Sequence, residues 1–132
     1  MHQMSREKVM DCLFCKILEG EIPAERVYED DQVIAFRDIN PQAPFHCLII
    51  PRKHIATLND IADDDREVVG HMIQAASKIA QQQGFDQDGY RTVFNCNTHG
   101  GQTVYHIHLH LLGGKPMGWP PYQDTLKTPV NN

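Results

Sequence analysis

Residues 106 to 112 read His-Ile-His-Leu-His-Leu-Leu, with imidazole and aliphatic side chains in strict alternation. In an extended strand alternate side chains share a face. His106, His108 and His110 should therefore line one surface while Ile107, Leu109 and Leu111 enter a core. Imidazole is the side chain that serves as nucleophile, general base or metal ligand near neutral pH. A half-exposed strand that happens to carry histidines would account more readily for one such residue than for three in register behind a Gly-containing loop. A single metal ion does not account for all three either, because strand residues four apart are separated by roughly 13 Å. The spacing suits a central nucleophile with hydrogen-bonding neighbours, since neutral imidazole attacks through one nitrogen while the other is held in the correct tautomer.

The elements that must position these residues follow from the pattern on either side. Residues 11 to 18 (DCLFCKIL) are short and amphipathic and precede Gly20 and Pro23, which predicts a small helix. Arg26–Glu29 and Gln32–Asp38 form a predicted hairpin, in which Val33, Ala35 and Arg37 are set against Ile34 and Phe36. Asn40-Pro41-Gln42-Ala43-Pro44 is a loop, because each proline lacks an amide donor and restricts its predecessor. Phe45–Pro51 is a fully apolar-looking strand apart from His46. From Asp60 to Gln83, apolar residues including Ile61, Val68, Val69, Met72, Ile73, Ala76, Ile79 and Ala80 recur at helical steps, and Gly84 ends the run. Strands are expected at Tyr90–Cys96 and Val104–Leu112. One long helix, one short helix and five strands with mostly short connections predict an α+β fold on an antiparallel sheet.

The chain has 132 residues, 41% hydrophobic and 22% charged, which fits one packed domain. We expect a flexible segment over 1–10, the domain over 11–121 and a tail over 122–132. The net charge of -5, with basic residues scattered, argues against nucleic acid as a partner. A small phosphorylated ligand remains compatible, because local donors can hold an anion. No run of about 18 apolar residues points to a membrane span, and the opening residues lack the apolar stretch of a signal peptide, so the expected location is the cytoplasm.

The segment Gly100-Gly101-Gln102-Thr103-Val104-Tyr105-His106-Ile107-His108-Leu109-His110-Leu111-Leu112-Gly113-Gly114 resembles the signature of the histidine triad superfamily, in its Hint (histidine triad nucleotide-binding) branch. The likeness extends to Glu21-Ile22-Pro23-Ala24, to Phe36 through Pro44, and to Asn95, and covers Leu13 to Pro120. It implies a two-fold homodimer joining two five-stranded sheets, and hydrolysis of purine nucleoside phosphoramidates through a nucleotidyl-histidine intermediate. On that basis His108 is the nucleophile. His110 and His46 contact the phosphate and manage protons, with Thr103 and Gln102 donating to its oxygens. Asp38 accepts from the ribose hydroxyls, and Leu13, Phe14, Ile17, Phe36 and Ile39 form the purine slot. Asn95 and the backbone of Gly100 and Gly101 complete the phosphate side.

Catalysis of this kind requires no cofactor. In relatives that carry a CxxC pair, the resemblance implies a structural zinc, here on Cys12, Cys15, His54 and His106. The bland reading of Cys12-Leu13-Phe14-Cys15 is two ordinary buried cysteines, as expected of Cys47 and Cys96, and both readings stand at this point. His99 is a weaker ligand candidate, and His2 and His71 read as surface histidines. Two functions compete with the phosphoramidase: hydrolysis of dinucleoside polyphosphates, and a nucleotide sensor or adaptor in which turnover is incidental. The joint presence of His46, Thr103, His108 and His110 favours an enzyme, because binding alone does not need an aligned nucleophile.

Overall fold

A computed structural model describes residues 11 to 121. The expected flexible segment 1–10, the tail 122–132 and His2 lie outside the described residues. The elements are α1 (Leu13–Leu18), β1 (Arg26–Glu29), β2 (Val33–Arg37), β3 (Phe45–Pro51), α2 (Arg66–Gln83), β4 (Tyr90–Phe94), the single turn α3 (Asn97–Gly100) and β5 (Leu109–Gly113). The strands form one antiparallel sheet in the order β1-β2-β3-β5-β4. This is the α+β architecture predicted from the pattern.

The two faces of the sheet are sorted by the period of two. Val33 and Ala35 of β2, Cys47 and Ile49 of β3, and Ile107, Leu109 and Leu111 pack with Met72, Ala75, Ala76 and Ile79 of α2. Ile34, Phe36, Leu48 and Ile50 face the other way, onto Phe14, Cys15 and Ile17 of α1. Strand β3 is buried along its whole length, so both faces are apolar and its sequence shows no alternation. At the end of β5, Gly113 is required by packing: a Cβ there would lie 2.4 Å from the Phe85 ring.

Three sequence expectations change. The last strand begins at Leu109, not Val104, because the ladder with β3 stops where Ile49 faces Leu109. Past Pro51, which has no amide to offer, the chain turns, and residue 107 is held by its N–H donating to the Ile55 carbonyl at 2.7 Å. Helix α2 begins at Arg66, not Asp60. The preceding residues form two 3-10 turns, Leu58–Asp60 and Asp63–Asp65, in which the Asp60 carboxylate accepts from the Thr57 amide and that of Asp65 from the Ala62 amide. Ile73, expected on the apolar face, is 53% exposed.

His71 is also not a plain surface residue. Its Nε2 lies 2.6 Å from Asp30, which accepts from the Tyr28 hydroxyl as well and, through its other oxygen, from the amides of Gln32 and Val33. This carboxylate closes the β1–β2 hairpin and ties it to α2. Burial alone would raise its pKa, but the His71 ring, the two amides and the tyrosine together hold it well below the ordinary carboxylate range. A group depressed in this way stabilises the fold above about pH 3.8, and the contribution is lost as the pH falls through the lower folded value. Asp30→Ala should therefore cost about 2–3 kcal/mol at pH 7 by chemical denaturation. Its deficit relative to wild type should shrink as the pH is taken below 4; a pH-independent deficit would contradict the assignment.

Candidate functional site

The alternation of residues 106 to 111 holds even though only its second half is strand. Ile107 is 1%, Leu109 2% and Leu111 0% exposed on the α2 side. On the α1 side the Phe14 ring meets His106 and His108 edge-on, at centroid distances of 6.0 and 5.1 Å. His108 and His110 follow at 5.1 Å, and His46 of β3 adjoins His110 at 5.2 Å. The same face therefore carries four imidazoles in a row, positioned by β3, β5 and the segment leading into β5.

Hydrogen bonds to backbone groups assign the tautomers. His108 Nδ1 lies 2.8 Å from the His106 carbonyl. A carbonyl only accepts, so Nδ1 carries the proton and Nε2 keeps the lone pair that a nucleophile needs. His106 Nε2 lies 2.8 Å from the Pro51 carbonyl, which by the same logic places the proton on Nε2 and the lone pair on Nδ1. His46 Nδ1 receives the Gln42 amide at 3.0 Å, and its Nε2 lies 2.9 Å from His110 Nδ1 and 3.5 Å from Asp38. Burial depresses the pKa of His108 and His46. Burial and then the neighbouring His108 and His46 push His110 down to about 4, against the opposing pull of Asp38. These rings are neutral at pH 7, as a row of nucleophile and hydrogen-bond partners requires.

At the other end of the row, Cys12, Cys15, His54 and His106 converge. The His106 Nδ1 is 3.4 Å from Cys12 Sγ, 3.5 Å from Cys15 Sγ and 3.2 Å from His54 Nδ1, and Cys15 Sγ is 3.4 Å from His54 Nδ1. Tetrahedral zinc with ordinary bond lengths needs sulfur–nitrogen edges of roughly 3.6 Å and nitrogen–nitrogen edges of roughly 3.3 Å. The donor set fits on chemistry and on spacing. The Pro51 carbonyl supplies the outer hydrogen bond that ligating imidazoles commonly make. Burial, then the adjacent Cys12, pushes the Cys15 thiol up to about 12, a cost that a divalent cation between the sulfurs would reverse.

The remaining predicted residues divide. Phe14, Ile17 and Phe36 are buried together beneath the row, and Leu13 is 43% exposed at its rim. Ile39 is fully exposed and stands apart from that cluster. Asp38 approaches His46, while its other oxygen accepts from the Asn40 amide. Thr103 is exposed and lines an open cleft of about 670 Å³ with Cys12, Leu13, His54 and Tyr105; this cleft runs beside the row and does not include His108. Asn95 is half-buried next to Gly100.

Gln102 and Gly101 are engaged within their own loop. The Gln102 amide donates to the carbonyls of Ala56 and Val104 while its oxygen accepts from the Asn97 amide, so its donors are already spent on bracing the loop. The Gly101 N–H donates to the Thr98 carbonyl within α3, and the Gln102 N–H to Asn97. Cys47 is buried as expected, but Cys96 is only half-buried. His99 is exposed and belongs to neither group of converging donors. Sequence reasoning missed Pro51 and Gln42, because they act through backbone groups that leave no side-chain signal.

The family model described as scavenger mRNA decapping enzyme C-term binding matches residues 11–119. A purine nucleoside phosphoramidase of Escherichia coli K12 is 56% identical over 108 residues, covering 82% of this chain and 91% of that protein. Among solved structures, a HIT family hydrolase from Legionella pneumophila is 63% identical with a TM-score of 0.82, covering 83% of this chain and 98% of that one. A zinc-bound histidine triad family protein from Mycobacterium smegmatis is 34% identical with a TM-score of 0.72, covering 81% and 77%. The chain belongs to the histidine triad superfamily, and within it to the Hint branch.

The depressed pKa values carry a stability consequence. An unfolded histidine takes up its proton near pH 6.5, whereas His110 waits until about 4, so acidification through that window favours the unfolded chain. An NMR titration of the imidazole resonances should find His110 neutral down to about pH 4. A midpoint near 6.5 would contradict the buried, neutral row.

Proposed function

We propose that this protein hydrolyses purine nucleoside phosphoramidates, with His108 as the nucleophile. The observation that carries the reading is the bond from His108 Nδ1 to the His106 carbonyl, which leaves the Nε2 lone pair available in a ring that burial keeps neutral. The 56% identity to a purine nucleoside phosphoramidase and the likeness to HIT family hydrolases support it. Nε2 attacks the α-phosphorus, the P–N bond breaks, and the amine departs with a proton. Water then hydrolyses the nucleotidyl-imidazole, placing its hydroxyl on phosphorus and restoring the proton, so the site ends as it began. His110 flanks the reacting group as the donor, and His46 supports it from behind through the 2.9 Å contact to His110 Nδ1. Thr103 offers its hydroxyl to the phosphate, and Asp38 offers carboxylate oxygens to the ribose. Phe14, Ile17, Phe36 and Leu13 supply apolar surface for the base.

The Cys12, Cys15, His54 and His106 set is proposed to hold one structural zinc, a closed tetrahedral site that stiffens α1 against the segment leading into β5 and takes no part in bond breaking. No helix among the described residues is long and apolar enough to cross a membrane. The four cysteines, none of them bridged, suit the reducing cytoplasm. The outer position of β4 in the sheet, together with Tyr90 exposed on it, supports a homodimer formed along that edge.

Adenosine 5′-phosphoramidate carrying an amine leaving group should be turned over by wild type with release of AMP. His108→Asn should retain AMP binding while losing about a thousandfold or more in kcat. Near-normal turnover by that variant would overturn the mechanism, and turnover confined to diadenosine polyphosphates would overturn the substrate class. Elemental analysis should return about one zinc per chain. Cys12→Ser should lower Tm more than it alters the pH–rate profile; a metal-free wild type of equal stability would refute the metal.

A further inference from the structure

The loop joining β2 to β3 folds back on the row of imidazoles through a single backbone group. In Pro41-Gln42-Ala43-Pro44 the two prolines have no N–H, so only Gln42 and Ala43 can donate from the main chain. The Gln42 N–H is spent on His46 Nδ1 at 3.0 Å. The loop is built to present it: the Gln42 side chain donates to the Asn40 carbonyl, the Asn40 amide donates to Asp38, and the Asp38 amide donates to the His46 carbonyl.

We infer that the Gln42 amide is a positioning group that sets the direction of the His46–His110 pair and keeps His110 a neutral donor. An amide N–H can only donate, so His46 Nδ1 must hold a lone pair and the single proton of the neutral ring must sit on Nε2. That proton faces His110 Nδ1 at 2.9 Å. His110 Nδ1 is thereby the acceptor, and its own proton is placed on Nε2, the nitrogen turned away from His46. Protonating His110 at Nδ1 would set two N–H groups against each other. His46 could relieve this only by reversing its tautomer, which would drive an Nδ1–H into the Gln42 amide. The other charged or titratable groups facing His110 are His108, which also disfavours a charge there, and Asp38, which favours it. Adjacent histidines of one strand pattern thus present opposite functions: His108 an acceptor nitrogen fixed by a carbonyl, His110 a donor nitrogen fixed two hydrogen bonds away by an amide.

The inference rests on His108 and His110 being the reacting pair, but its test does not depend on turnover. Long-range proton–nitrogen NMR of the wild type should show His46 protonated on Nε2 and unprotonated on Nδ1, with His110 in the matching Nε2–H form. A wild-type His46 carrying its proton on Nδ1 would overturn the proposal whatever the activity. In the second arm, the 41–42 peptide bond is replaced by an ester through incorporation of the α-hydroxy analogue of glutamine, which deletes the N–H and keeps the side chain. His46 can then turn a lone pair toward His110, and the His110 titration should rise by about one unit or more. The acid limb of the kcat/KM profile for an adenosine phosphoramidate should move with it. A folded ester variant with the His110 titration unmoved would overturn the proposal. Should the ester chain not fold, the wild-type tautomers alone decide. Failure of wild type to hydrolyse any phosphoramidate, with the tautomers as stated, would sink the function and leave the positioning role standing.

Discussion

The period of two along residues 106 to 111 is the constraint on which the rest depends. Ile107, Leu109 and Leu111 are buried against α2 to 2% exposure or less, and each contributes of the order of 2 kcal/mol by leaving water. A slip of one residue would drive three imidazoles into that core and remove three aliphatic chains from it, so the register is strongly fixed. The histidine side is held in place by packing on the opposite face, and it can be polar, neutral and close-set without having to stabilise itself. The same sorting of odd and even positions in β2 and β3 brings His46 onto the face of the histidine row and sets Phe36 beside Phe14 and Ile17 of α1.

Given that frame, the chemistry of each imidazole is decided by main-chain groups. A carbonyl accepts and an amide donates, and neither can change role. The carbonyls of Pro51 and His106 fix protons on the nitrogens of His106 and His108 that face them, and the Gln42 amide does the reverse for His46. The consequence separates two groups that look alike as lists of ligands. Cys12, Cys15, His54 and His106 point sulfurs and a lone pair inward, which suits a cation. Asp38, His46 and His110 also lie within ligating distance of one another, but an N–H occupies the middle of that group, so it carries a proton where the other set can take a metal.

Much of this was legible in the sequence because it rests on side-chain type and periodicity. The alternation of the triad, the buried β3 strand, the helical period ending at Gly84 and the spacing of the CxxC pair all have one-dimensional signatures. What was not legible depends on where the main chain turns. The triad pattern reads as strand from Val104, yet pairing starts only at Leu109 because Pro51 ends the amide ladder on the partner side. The resemblance implies Gln102 as a donor to phosphate, yet both of its side-chain N–H groups are directed at the carbonyls of Ala56 and Val104. Ile39 reads as part of an apolar slot, but adjacency in sequence to Asp38 does not place it with Phe14 and Phe36.

His106 is where the two halves of the site meet. Its ring belongs to the thiol-rich cluster, through Nδ1, and its carbonyl holds His108 Nδ1. The ring is wholly buried, and burial, opposed by the Pro51 carbonyl and reinforced by His54 and His108, pushes its pKa down to about 4. It is therefore a neutral anchor, not a participant in proton transfer. Fixing that ring fixes the peptide plane that follows, and with it the direction in which the carbonyl holds the His108 proton. Phe14 couples the same pair by a second route, since it sits between Cys12 and Cys15 in the chain and packs edge-on against both His106 and His108. The convergence of Cys12, Cys15, His54 and His106 in this way bears on the orientation of the His108 ring as well.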